Sequence, residues 1–138
     1  EETTLNGIEQ VTTTLKSRNV TPTLSIIGEP TQMYACTTSK SCYEYQIDIT
    51  GKSCHSSNPN NGINAIYIAA NIIMLIEKLN QKYKNTSLSC GIVEGGERVN
   101  IVPNSAKLKF DIRSNSKLNA DKVLYEINKQ IKLLKNQL

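Results

Sequence analysis

Between Ile63 and Ile76 this chain of 138 residues has only two frankly polar side chains, Asn64 and Asn71, in a run otherwise made of Ile, Ala, Tyr, Met and Leu. The run predicts a helix from about Gly62 to Leu79. A helix that covers one sheet needs a single apolar stripe, yet Ile66, Ile68, Ala69, Ile72, Ile73 and Leu75 span most of this one's circumference. It must be covered on more than one side. In a two-layer domain the second cover comes from outside, most simply from a second copy of the chain across a two-fold axis. A further domain of the same protein is the alternative source. The run falls short of the ~20 residues that a bilayer needs, so no membrane span is expected.

The segments around this helix supply the first cover. Tyr43, Tyr45, Ile47 and Ile49 alternate with polar residues and predict a half-buried strand. A polar loop follows, from Gly51 through His55 to Pro59. Leu88, Cys90 and Ile92 mark a second strand, closed by a turn at Gly95-Gly96. Ala106, Leu108, Phe110 and Ile112 mark a third. Leu124, Ile127, Ile131, Leu134 and Leu138 recur at helical steps, with Asn119 or Asp121 as the expected cap. The order strand, helix, strand, strand, helix predicts an α+β, ferredoxin-like split βαβ domain over residues 33–138. Its sheet is expected to be four-stranded and antiparallel, with two helices on one face and the closing strand beyond Leu138.

Residues 1–32 read differently. Ile8, Val11 and Leu15 form a helical stripe ending near Arg18-Asn19, and Leu24-Ser25-Ile26-Ile27 reads as a short buried strand. One helix and one strand cannot close a core, so this segment is expected to be the edge of a larger α/β domain. The net charge of +4 comes from scattered lysines, which suit a solvated surface. With a single Phe and no aromatic platform on the predicted sheet, no nucleic-acid partner is expected. Four cysteines without a C-x-x-C pair, and a start without a signal peptide, suggest reduced thiols and a cytoplasmic location.

Five short motifs stand in order along the chain. They are Gly28-Glu29-Pro30-Thr31, Gly51-x-x-x-His55-Ser56-Ser57, Asn61-Gly62-Ile63-Asn64-Ala65-Ile66, Glu94-Gly95-Gly96 and Asn100-Ile101-Val102-Pro103. With this set the chain resembles the acetylornithine deacetylase / succinyl-diaminopimelate desuccinylase family of dizinc hydrolases, and most of all its acetylornithine deacetylase branch. The resemblance implies a metal-dependent amidohydrolase that removes the N-acyl group from an amino acid, here N-acetylornithine in arginine biosynthesis. Succinyl-diaminopimelate desuccinylation, hydrolysis of another N-acyl amino acid, and a non-catalytic dimerisation module are the alternatives.

The resemblance also implies roles. Glu1 aligns with the family's general base, Glu2 and Glu29 with zinc ligands, and His55 with a histidine that reaches the other subunit's active site to stabilise the oxyanion. Asn100 aligns with a substrate-contacting asparagine, and Arg113 with an arginine that clamps a substrate carboxylate. Residues from Tyr43 onward correspond to the lid, or dimerisation, domain. Its helix, with Ile63, Ile66, Tyr67, Ala70 and Ile73, is expected at a homodimer interface. The family binds two zinc ions, with cobalt possible. This chain departs from it in having one histidine and no His-x-Asp pair, so by itself it is expected to bind no metal and to be inactive.

Overall fold

The computed structural model describes residues 6–28 and 30–135. The chain divides into two compact units, Glu1–Cys36 and Thr37–Leu138. In the first, α1 spans Asn6–Ser17 and leaves Ile8 and Val11 exposed. The chain turns after it through Asn19, at φ 53°. The strand expected at Leu24–Ile27 does not form. Those residues are irregular, and Leu24, Ile26 and Ile27 are 77%, 90% and 73% exposed. An apolar run becomes a strand only where another strand accepts its backbone hydrogen bonds, and none lies beside it among the described residues.

The second unit is built from β1 (Ser41–Thr50), α2 (Ala65–Lys82), β2 (Thr86–Gly95), β3 (Ser105–Ser114) and α3 (Lys117–Lys135). β3 lies between β1 and β2 and runs antiparallel to both. This is the expected split βαβ arrangement. Among the described residues the sheet has three strands rather than four, and none pairs with the outer edge of β1. The core is one layer of side chains between the sheet and the two helices. α2 packs across β2 and β3, and α3 lies beside it over β3. From the sheet come Ile49, Leu88, Leu108, Phe110 and Ile112; from the helices come Ala69, Ile72, Ile76, Val123 and Ile127. Tyr45 stacks on Phe110 with ring centroids 5.4 Å apart.

Three details of the sequence pattern are corrected. β2 does not alternate throughout, because Cys90 opposes Phe110 while Ile92 opposes Lys109, leaving Gly91 as an extra residue. This bulge turns Ile92 to the face away from the helices. Helix α2 starts at Ala65 rather than Gly62, with the Asn64 side chain accepting hydrogen bonds from the N–H groups of Ile66 and Tyr67. Helix α3 starts before its expected caps. Asn119 and Asp121 lie inside it, and the Ser116 carbonyl accepts from the N–H groups of Asn119 and Ala120. Its stripe includes Ala120 and Val123 besides Ile127, while Leu138 lies outside the described residues.

Polar contacts tie the C-terminal end of α2 to the middle of α3. Lys82 Nζ lies 2.8 Å from Glu126 Oε1, and the Tyr83 hydroxyl donates to the same oxygen at 2.6 Å. These two donors hold the Glu126 carboxyl below its ordinary pKa of 4.5. A depressed folded-state pKa contributes stability above the unfolded value, and that contribution is lost as the pH falls through the folded value. Glu126→Gln should therefore lower the thermal midpoint by about 1–4 °C at pH 7, a small effect because the pair is partly exposed. Melting curves recorded down a pH series should show the gap between variant and parent closing below pH 4.5.

Candidate functional site

His55 sits in the loop that leaves β1, and its position is fixed by backbone hydrogen bonds. The Gly51 N–H donates to Asn104 O at 2.7 Å, and Lys52 and Ile63 exchange two bonds of 2.9 Å. The Val102 N–H donates to Cys54 O at 2.9 Å, and the Ser56 N–H to Asn100 O at 3.0 Å. His55 and Ile101 thus face each other as an isolated antiparallel bridge. The loop of residues 52–58 lies along residues 100–102, the stretch that leads into β3. The Ala65 N–H donates to Pro103 O at 2.9 Å, which ties the start of α2 to the same seam.

Two glycines make this seam possible. A Cβ at Gly51 would collide with the carbonyl oxygen of Ile63. One at Gly62 would stand 2.6 Å from Lys52 O and 2.7 Å from Cys54 Sγ. The loop can approach the helix start so closely only because both side chains are absent. A one-turn 3-10 helix at Pro59–Asn61 completes the connection.

The expected site residues fall into groups. His55 and Asn100 are both exposed, and the Ser56–Asn100 bond keeps them on one rim. Beside that rim runs an open groove of about 1120 Å³, lined by Asn60, Asn64, Tyr67, Asn71, Arg98, Pro103 and others. Arg113 is elsewhere. It lies near the opposite end of β3, eight residues on from Ser105, or ~26 Å along the strand. There its Nε donates to Asp111 Oδ2 at 2.7 Å. One chain therefore does not bring Arg113 to the rim that carries His55. Glu1, Glu2 and Glu29 lie outside the described residues. Among the described residues, no three His, Cys, Asp or Glu side chains gather where they could hold a metal ion.

The expected interface residues lie on and beside α2. Ala65, Ala69, Ile72, Ile76 and Leu79 are the face buried against the sheet. Ile66, Tyr67 and Ala70 are exposed, and Ile63 and Ile73 are partly buried. Met74 extends the same uncovered face, at 68% exposure. On edge strand β2 next to this helix, Ile92 and Val93 are exposed as well. No described helix is long and apolar enough to cross a membrane, and the four cysteines are unpaired.

Residues 37–137 match the model of the peptidase dimerisation domain. The chain belongs to that family. Within it, the chain is 35% identical over 124 residues to the acetylornithine deacetylase of Buchnera aphidicola subsp. Schizaphis graminum. That match covers 82% of this chain and 32% of the relative. It is 32% identical over 125 residues to an uncharacterized metallohydrolase of Methanocaldococcus jannaschii, covering 85% and 36%. The chain thus spans about a third of the length of the curated relatives it matches.

Among solved structures, the dimerisation domain is similar to part of a tripeptidase from Staphylococcus aureus subsp. aureus Mu50. The TM-score is 0.60 at 29% identity, over 65% of this chain and 24% of that one. An amidase of the hydantoinase/carbamoylase family from Burkholderia multivorans shares the fold, with a TM-score of 0.67 at 14% identity over 72% and 25%.

The sequence motifs were readable, but several of their members serve as scaffold. Asn64 is a helix cap, Gly51 and Gly62 permit close approach, and Ser57 is a partner of His55. Gly51→Ala should force the loop off the helix start, costing about 1–3 kcal/mol as overpacking does. Urea denaturation would measure the loss, and a two-dimensional NMR spectrum should place the largest shifts at residues 52–58 and 100–104.

Proposed function

We propose that this chain is the dimerisation portion of an amidohydrolase that removes the acyl group from an N-acyl amino acid, with N-acetylornithine as the substrate. The observation that carries the reading is the placing of His55 and Asn100 on one rim by the Ser56–Asn100 bond, in a chain 35% identical to an acetylornithine deacetylase. Attack on an amide carbonyl creates an oxyanion, and a positioned N–H donor lowers the energy of that charge. An imidazole N–H at His55 supplies such a donor. The Asn100 side chain beside it offers a second polar contact to the substrate, and the Arg113 guanidinium pairs with the substrate's carboxylate.

The ~26 Å between the two ends of β3 supports a site shared between copies. One small amino acid cannot span that distance. Arg113 of one protomer and His55 of its partner therefore serve the same reaction, and the uncovered face of α2 joins the two copies as a homodimer. Glu2 and Glu29 are this chain's proposed contributions to a pair of zinc ions, with cobalt as the other candidate metal; glutamate carboxylates suit either as ligands. When bound, such ions would supply Lewis-acid chemistry that acidifies a water, and Glu1 would be the base that accepts a proton.

Two experiments on the full-length protein test the reading. His55→Ala should cut turnover of N-acetylornithine by ~10²–10³, the usual cost of one oxyanion donor, and Arg113→Ala should weaken it as well. Co-expressing the two variants should restore about a quarter of wild-type turnover, because half the dimers are mixed and each mixed dimer holds one intact site. No recovery on mixing would defeat the shared site. Faster turnover of N-succinyl-diaminopimelate would move the substrate assignment to the desuccinylases.

The dimer itself is tested at Ala70. Arginine is a good helix former, and Ala70 is exposed in one chain, so Ala70→Arg should leave the fold intact. Within a dimer it would bury an unpaired charge and raise the dissociation constant by roughly a hundredfold or more. Light scattering after size exclusion should find the parent dimeric and the variant monomeric.

A further inference from the structure

The surroundings of the His55 Nδ1 atom determine which ring nitrogen carries the proton. The Ser57 backbone N–H donates to Nδ1 at 3.2 Å. An amide N–H can only donate, so Nδ1 must offer a lone pair. The Ser57 hydroxyl oxygen lies 2.8 Å from the same nitrogen. That hydroxyl itself accepts a hydrogen bond from the Asn58 side-chain amide at 3.4 Å, which leaves its own hydrogen free to point at Nδ1. The backbone donor therefore places the ring proton on Nε2, and with Nδ1 unprotonated the Ser57 hydroxyl donates to it as well. The turn that brings Ser57 under the ring is closed by the Asn58 N–H donating to His55 O at 3.0 Å, and the next bond outward is Ser56 N–H to Asn100 O.

We infer that Ser57 is a positioning residue that holds His55 as its Nε2–H tautomer, so that the ring presents a hydrogen-bond donor to the substrate. A neutral imidazole with the proton on Nδ1 would offer a lone pair at its free end, and a lone pair repels a developing oxyanion. Ser57 thus selects the form of the ring that can stabilise the charge, as carboxylate and carbonyl partners do for histidines elsewhere. The catalytic consequence rests on the reading of His55 given above; the tautomer itself does not.

The sequence makes the tautomer directly measurable, because His55 is the only histidine in 138 residues. Long-range proton–nitrogen NMR of the labelled chain, at a pH where the ring is neutral, should show an unprotonated Nδ1 and a protonated Nε2. In Ser57→Ala the minor Nδ1–H population should rise about fivefold, the change expected from losing one hydrogen bond of ordinary net strength. Ser57→Thr keeps the hydroxyl and should restore the parent spectrum. A parent spectrum dominated by Nδ1–H, or one unaltered in Ser57→Ala, overturns the inference.

Kinetics of the full-length protein separate this inference from the reading it rests on. Ser57→Ala should lower kcat several-fold with KM nearly unchanged, since the interaction it supports is made in the transition state. A tautomer shift with kcat unaltered would leave Ser57 in its role and overturn His55 as the oxyanion donor.

Discussion

The structure depends on the burial of α2, which has two apolar faces and only one sheet to cover. One face, with Ala69, Ile72, Ile76 and Leu79, closes the core against β2 and β3. The other, with Ile66, Tyr67 and Met74, stays exposed in a single chain. Apolar surface is removed from water wherever a partner is available, at about 25 cal/mol per Å², and patches of this kind mark places where proteins associate. In the reading proposed above, the same helix that organises the fold also carries the surface that joins two copies.

The N-terminus of α2 links this packing to the candidate site. Asn64 caps the helix, Ala65 donates to Pro103, and Ile63 pairs with Lys52, so three consecutive residues join the helix to both loops of the seam. His55 and Asn100 follow from that arrangement. Neither lies in a regular element, yet each is next to residues whose backbone hydrogen bonds hold the two loops together. A loop pinned in this way can hold an exposed imidazole in a defined place without burying it.

Much of the fold could be read from the sequence, and where the reading failed the causes are physical. The alternation in β1 and β3 was plain because β3 buries one face along its length and β1 half-buries one from Tyr43 to Ile49. β2 misled because the bulge at Gly91 shifts the phase part-way along, and periodicity cannot show an extra residue in a strand that is apolar on both sides of the break. Leu24–Ile27 carried a strand's composition without a neighbour to pair with. At the start of α3, Asn119 and Asp121 have cap chemistry. However, the buried Thr86–Ser114 hydroxyl pair at 3.0 Å and the Ser116 N–H bound to Ser114 Oγ fix the chain earlier. For the site, His55 stood out as the single imidazole in a recognisable loop. The role of Ser57 depends on how that loop folds back, which two residues of separation do not reveal.

The bulge has a further consequence for the stretch that carries Asn100. β2 is an edge strand, and the extra residue at Gly91 sets the pleat with which the chain enters the connection to β3. Were Gly91 to take a regular place in the ladder instead, the two sides of the strand from Ile92 to Gly95 would be exchanged. Glu94 would turn away from Lys107, its ion-pair partner at 3.6 Å, and Asn100 would leave the sheet from the wrong side. The geometry of the rim is therefore set in part by an insertion about nine residues upstream of Asn100, in a strand that contributes no side chain to it.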